Sequence, residues 1–175
     1  MTTRVGFLRA VNLGKRTVPN ARLTEIVEGL GYDDVWTHIN SGNVVFDGTG
    51  SRSAIERRIG DALEAEFGFE VTTFVRTAAQ LRSALALEPF EVGDGDTYFV
   101  TFLKSALPTA RARELEGLSN DFDTVVVDGT EVHWLMHGKS TDTKIPQRDW
   151  TRVCGKLGTT SRNTTMLRKL VDKLG

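Results

Sequence analysis

Apolar residues along this chain follow two rhythms, short dense runs and helical repeats, in an order that predicts a fold. The stretch TRVGFLRAV, residues 3–11, is dense enough in apolar positions for a buried strand, interrupted by Arg9. Pro19 and Asn20 then open a helix with Asn20 as its N-cap. In it Leu23, Ile26, Val27 and Leu30 recur at i, i+3, i+4 and i+7, and Gly31 closes it. DVWTHIN and NVVFDG are β-rich runs separated by Ser41 and Gly42, which is hairpin chemistry. Ser53 and Glu56 predict a capping box ahead of Ile55, Ile59, Leu63 and Phe67, a second amphipathic helix, and EVTTFVR at 70–76 predicts a fourth strand. The order β-α-β-β-α-β is the split βαβ arrangement of ferredoxin-like folds.

The pattern then recurs. After a connecting helix begun by a Thr77/Gln80 capping box, TYFVTFLK at 97–104 predicts a strand, and Pro108 opens a helix through Leu118. DTVVVDG and EVHWLMH flank a turn at Asp128 and Gly129, and helices are expected over about 146–156 and 161–174. The expected class is therefore α+β, two ferredoxin-like α/β-plaits in tandem with C-terminal helices. The predicted organisation is a first unit over 1–87, a linker at 88–96 that gathers Pro, Gly and Asp, and a second unit over 97–175.

Composition changes the picture only locally. A chain of 175 residues can bury a core without disulfides or a metal, and a net charge of −1 recruits neither nucleic acid nor an anionic membrane. The charge is unevenly spread, however. From Lys139 onward nine basic residues stand against three acidic ones, giving a basic tail on an acidic body. Charge runs are most often solvated faces, and the other reading is that the tail supplies cations to an anion-binding cleft. No secretory signal or membrane-spanning run is visible, and a single cysteine, Cys154, excludes an internal disulfide framework. A cytoplasmic protein is expected.

Candidate chemistry gathers where strand ends meet. In a split βαβ unit the first and third strands are antiparallel neighbours. The end of strand one, with Arg9, Asn12 and Gly14, therefore meets the start of strand three, with Ser41, Gly42 and Asn43. The first helix begins at the same end, and Lys15 lies on the connecting loop. Glycines, polar donors, cations and a helix N-terminus together suit an anion. Taken singly, the asparagines and Ser41 also read as turn residues, whereas a buried Arg9 would need a partner. In the tail, Thr159-Thr160-Ser161-Arg162-Asn163 at a helix start could present Arg162 and Asn163 to a phosphate or carboxylate, or could simply cap the helix. Lys144 is a further candidate anion contact.

The combination Arg9-Ala10-Val11-Asn12-Leu13-Gly14, Val18-Pro19, Ser41-Gly42-Asn43-Val44-Val45-Phe46 and Thr160-Ser161-Arg162-Asn163 resembles the bacterial domain-of-unknown-function 1697 family across essentially the whole chain. That resemblance implies a pair of ferredoxin-like plaits and brings no established reaction. Such relatives usually read Arg-Asn-Trp near the end, whereas Thr164 follows Arg162-Asn163 here.

Other motifs fail on spacing. HGKST at 137–141 lacks the P-loop's first glycine, with His133 in its place. His133 and His137 on one strand stand about 13 Å apart, too far to share a metal. No cofactor and no metal are expected, and Cys154 reads as a small buried hydrophobe. The expected function is binding of a small anionic, phosphate- or carboxylate-bearing ligand, with any catalysis left open. The alternatives are an RNA-binding plait, disfavoured by neutral charge and by NVVFDG lacking the basic-Gly-aromatic pattern, and a regulatory or protein-interaction module. Oligomeric state is not legible.

Overall fold

The computed structural model describes residues 1–9, 11, 14–39, 42–156 and 158–175. Among them are six α-helices and two four-stranded antiparallel sheets, an α+β architecture. The chain divides into two compact units, Met1–Leu81 together with Lys173–Gly175, and Arg82–Asp172.

In the first unit the order is β1 (Thr2–Leu8), α1 (Asn20–Gly29), β2 (Asp33–Thr37), β3 (Asn43–Gly48), α2 (Arg52–Phe67) and β4 (Thr73–Thr77). The strands lie in the spatial order β2-β3-β1-β4. β1 sits between β3 and β4, with Gly6 opposite both Val44 and Val75. The period of two sends Leu8, Val44, Phe46 and Val75 into a core with Leu23 and Val27 of α1 and Ile55, Ile59 and Leu63 of α2. Each such side chain stabilises the unit by about 1.5–3 kcal/mol on full burial. Packing is tight enough to demand glycine at 48, where an added Cβ would stand 2.5 Å from Tyr32 Cδ1. Above that ring, Arg58 stacks at 5.1 Å and donates to the Leu30 carbonyl at 2.7 Å, closing the end of α1.

Three local expectations are corrected here. β1 stops at Leu8, so Arg9 lies just past the strand and is half-buried rather than inside it. Asn20 is the first residue of α1 and not its cap; its side chain instead donates to the Ile39 carbonyl at 3.0 Å. Ser51, not Ser53, caps α2 by accepting from the Ala54 amide at 3.3 Å. Glu56 is thereby released from a capping box and is buried, taking the Val75 amide of edge strand β4 at 2.8 Å. An edge strand presents unpaired amides, and this carboxylate answers one of them.

The helix α3 (Ala78–Leu87) does begin on a reciprocal Thr77/Gln80 cap, with Gln80 N to Thr77 Oγ1 at 3.1 Å and Thr77 N to Gln80 Oε1 at 2.9 Å. The second unit continues with β5 (Thr97–Leu103), α4 (Thr109–Glu116), β6 (Asp123–Asp128), β7 (Glu131–Met136), a 3-10 turn at Ser140–Asp142, α5 (Gln147–Cys154), β8 (Thr159–Asn163) and α6 (Thr164–Lys173). Its strands take the order β6-β7-β5-β8, so the first sheet's pattern repeats.

β8 overturns the expected continuous helix over 161–174. Thr159 to Asn163 pair antiparallel with Leu103 to Phe99, and the helix starts only at Thr164. Threonine is β-branched and suits a pleated strand, but its hydroxyl also suits a helix cap, and only the distant partner β5 decides between them.

A buried carboxylate organises this unit. Asp123 is fully buried and accepts from Trp134 Nε1 at 2.9 Å, Thr143 Oγ1 at 2.6 Å, the Lys144 amide at 2.8 Å and Asn120 Nδ2 at 3.1 Å. These bonds pin the loop after β7 to the sheet. Beneath it Trp134 and Trp150 meet with ring centroids 4.9 Å apart in a core that includes Leu103, Leu115, Val132 and Val153.

Candidate functional site

The loop after β1 and the hairpin loop between β2 and β3 meet at one end of the first sheet. The Leu8 amide donates to the Gly42 carbonyl at 2.8 Å, and on the other side the Arg9 amide donates to the Thr72 carbonyl at 2.9 Å. Gly42 has φ +71°, and a Cβ there would stand 2.7 Å from Val11 Cγ2, so no side chain fits without displacing Val11. The chain from Val11 to Asn20 is thus tied to the hairpin at both ends, by Val11 against Gly42 and by Asn20 Nδ2 on the Ile39 carbonyl.

The tethered segment holds the candidate cations. Gly14, at φ +56°, turns the chain, and Lys15 and Arg16 follow it on the exposed surface. The Arg16 guanidinium rests 5.7 Å from the centroid of Phe69. α1 starts at the end of the segment with neither a side-chain cap nor an acidic residue in its first turn. The positive end of its dipole therefore meets no acidic side chain within its own first turn. Across from it Ile39, a β-branched residue, is held at φ +59° and is exposed. That region is sterically costly for such a side chain, and outliers of this kind cluster at functional sites.

Of the sequence-predicted residues in this unit, Arg9, Gly14, Lys15, Gly42 and Asn43 lie on these connected loops or at their strand ends. Asn12 and Ser41 lie outside the described residues. Asn43 is fully buried and shapes the hairpin: its Nδ2 donates to the His38 carbonyl at 2.9 Å, and its own carbonyl accepts the His38 amide at 3.0 Å. A turn role was among its readings, and the geometry gives it one.

Lys144, Arg162 and Asn163 belong to the second unit and have duties there. Lys144 Nζ lies 2.6 Å from Asp121 Oδ1, holding that carboxyl below its usual range, in a pair open to water. Arg162 sits in β8 opposite Val100, donating to Thr160 Oγ1 and to the Ser161 carbonyl, each at 2.9 Å; burial pushes its guanidinium down to about 10. Asn163 Oδ1 accepts the Thr165 amide at 2.8 Å, so it caps the first turn of α6. Thr164 is buried and donates to the Tyr98 carbonyl at 3.0 Å, fastening α6 to β5.

Two polar groups escaped the sequence reading. Arg76 is only 1% exposed, the largest fully buried side chain among the described residues, and stands opposite Val5 in the sheet. Its alternation with Phe74 was the available signal, since both residues of a period-two strand point the same way. Tyr98 and His133 form a buried pair, hydroxyl to Nδ1 at 2.5 Å, linked through adjacent strands. Burial raises the Tyr98 hydroxyl to about 12 and lowers His133. Cys154 packs against the second core, and burial pushes its thiol up to about 11, which suppresses thiolate chemistry near neutral pH. Among the described residues no group of three or more His, Cys, Asp or Glu side chains is placed to hold a metal ion, and no helix is long and apolar enough to cross a membrane.

The molecule is thus an α+β protein with two four-stranded antiparallel sheets, and this fold resembles that of SP0830, a conserved bacterial protein from Streptococcus pneumoniae. The two share 20% identity and a TM-score of 0.78 over 99% of this chain and 98% of that one. The chain belongs to the protein family of unknown function DUF1697, whose family model matches residues 1–133. Comparison with curated proteins gave no match.

Proposed function

We propose that the first unit binds a small anionic molecule, bearing a phosphate or carboxylate, at the sheet end formed by the loop after β1, the β2–β3 hairpin loop and the start of α1. The observation that carries this reading is the double tether between the loops, Leu8 N to Gly42 O and Asn20 Nδ2 to Ile39 O, around backbone held at positive φ at Gly14, Ile39 and Gly42. Arg9 and Lys15 supply positive charge on the loop that leads into the N-terminus of α1, a combination suited to oxyanions. Each unit is read as a ferredoxin-like plait in tandem, which the repeated strand order and antiparallel pairing support. A cytoplasmic setting accords with one cysteine and no internal disulfide.

A thermal-shift screen with inorganic phosphate, a nucleoside monophosphate, a sugar phosphate, a dicarboxylate and a short RNA tests this. Ligand at a hundred times its dissociation constant stabilises by about 2.7 kcal/mol, a readable shift. The expected result is a shift from at least one small anion that is lost in Arg9→Ala and Lys15→Ala while both variants keep the wild-type melting temperature without ligand. No shift from any small anion, a shift from RNA alone, or a shift that survives both substitutions would overturn the reading.

A further inference from the structure

The second unit holds a cavity of about 420 Å³ between the segment after α3 and the start of α6. Its volume falls in the range of small-molecule sites. One wall is apolar. Phe90 meets Tyr98 edge to face, with centroids 5.3 Å apart, and Val92 beside them is 49% exposed, unusual for a large hydrophobic side chain in this molecule. Tyr98 offers only its ring, because its hydroxyl is held by His133.

The other wall is charged and carries both signs. Arg168 of α6 lies 3.4 Å from Glu88, with the two side chains 48% and 65% exposed. A pair this long and this wet contributes little to folding. Both residues also border a neighbouring cavity of about 330 Å³, so the pair stands at the junction of two hollows. Glu88 is moreover held at φ +43°, immediately after the last residue of α3. That is the left-handed position where a helix is normally ended by glycine, and a side chain there is strained. A strained acid, loosely paired with a base on the rim of a cavity with an aromatic wall, contributes poorly to stability but is well placed for recognition.

We propose that this cavity binds a free α-amino acid with an apolar side chain. A zwitterion laid alongside the pair in opposite polarity puts its ammonium on Glu88 and its carboxylate on Arg168. Its side chain then covers Phe90 and Val92. Thr165, in the first turn of α6, lines the carboxylate side. This site lies wholly in the second unit and does not depend on the anion site of the first.

Isothermal titration of the full chain with L-leucine and L-phenylalanine tests the proposal, with isoamylamine and 4-methylpentanoate as analogues lacking the carboxylate and the ammonium. Saturable binding of at least one amino acid is expected, weakened at least tenfold in its amine-only and acid-only counterparts. Glu88→Gly should raise the melting temperature by relieving strain and yet weaken amino-acid binding at least tenfold. Glu88→Gln and Arg168→Gln should weaken it similarly, while Lys15→Ala leaves it unchanged. No saturable binding, equal binding of the acid-only analogue, or undiminished affinity in Glu88→Gly would each overturn the proposal. The phosphate response of the first unit, measured in Glu88→Gly, separates failure here from failure there.

Discussion

Gly42 and Val11 are held so closely that one added carbon on the glycine would stand 2.7 Å from the valine's Cγ2. This contact fastens the loop after β1 to the β2–β3 hairpin and so shapes the proposed anion site. It also exposes the site to a simple test, because Gly42 is wanted both for the space and for its φ of +71°.

Gly42→Ala is expected to destabilise the protein by about 1–3 kcal/mol, the range for a side chain forced into the left-handed region, and to abolish any small-anion thermal shift. Gly14, also at positive φ but with nothing near its missing Cβ, is the control: Gly14→Ala should cost less. Urea midpoints measured side by side decide this, and equal costs would show that the Val11 contact is unimportant.

Asp123 gathers four donors from three separate segments of the second unit. Asp123→Asn keeps the shape but turns an amide nitrogen toward groups that need an acceptor. A loss of about 1–3 kcal/mol is expected, the penalty for leaving a buried donor unsatisfied. Chemical denaturation would reveal it as a lower midpoint at unchanged slope, and tryptophan fluorescence should report the released Trp134 indole.

His133 is expected to make the fold sensitive to mild acid. Burial lowers its pKa beneath 6.5, the ordinary histidine value, while Asp128 and Glu131 act weakly the other way. Between those two pKa values the unfolded chain binds the proton and the folded chain does not, so stability falls as pH drops through about 6.5. The slope attributable to one such group is at most about 1.4 kcal/mol per pH unit. Glu66, Asp96 and Asp121 have lowered pKa values, so the stability they add is lost only further down, as pH falls through their folded pKa values. Urea midpoints from pH 7.5 to 5.5 should therefore decline in the wild type and flatten in His133→Gln; parallel curves would exclude His133 as the cause.

Much of the architecture was legible because it rests on local periodicity. The dense apolar run of β3 and the i, i+3, i+4 repeat of α1 each mark buried positions without reference to the rest of the chain. The Thr77/Gln80 cap was legible for the same reason, since both partners lie within one turn. Ser51 shows the limit: Ser53 and Glu56 also had capping spacing, and what excluded them was Glu56's bond to Val75, nineteen residues away.

The candidate site was half legible. That strand one's end would meet strand three's start followed from the order of elements, and Leu8 N on Gly42 O bears out that meeting. The burial of arginines was not legible. Arg9 and Arg76 both sit in apolar runs, yet β1 ends one residue before Arg9 whereas Arg76 lies inside β4. Strand ends are set by where pairing partners stop, and those partners are remote in sequence.

By itself, then, the sequence determined the succession of strands and helices as far as α5, the buried faces of the amphipathic helices, and the polar loops at the end of the first sheet, because these depend on neighbours within a few residues. Tertiary structure alone decided that Thr159–Asn163 is a strand, that Asp123 collects Trp134, Thr143 and Lys144, and that Glu88, Phe90, Tyr98 and Arg168 line one cavity. Each of those outcomes is set by a partner brought close in space from well outside the local window, where propensity carries no information.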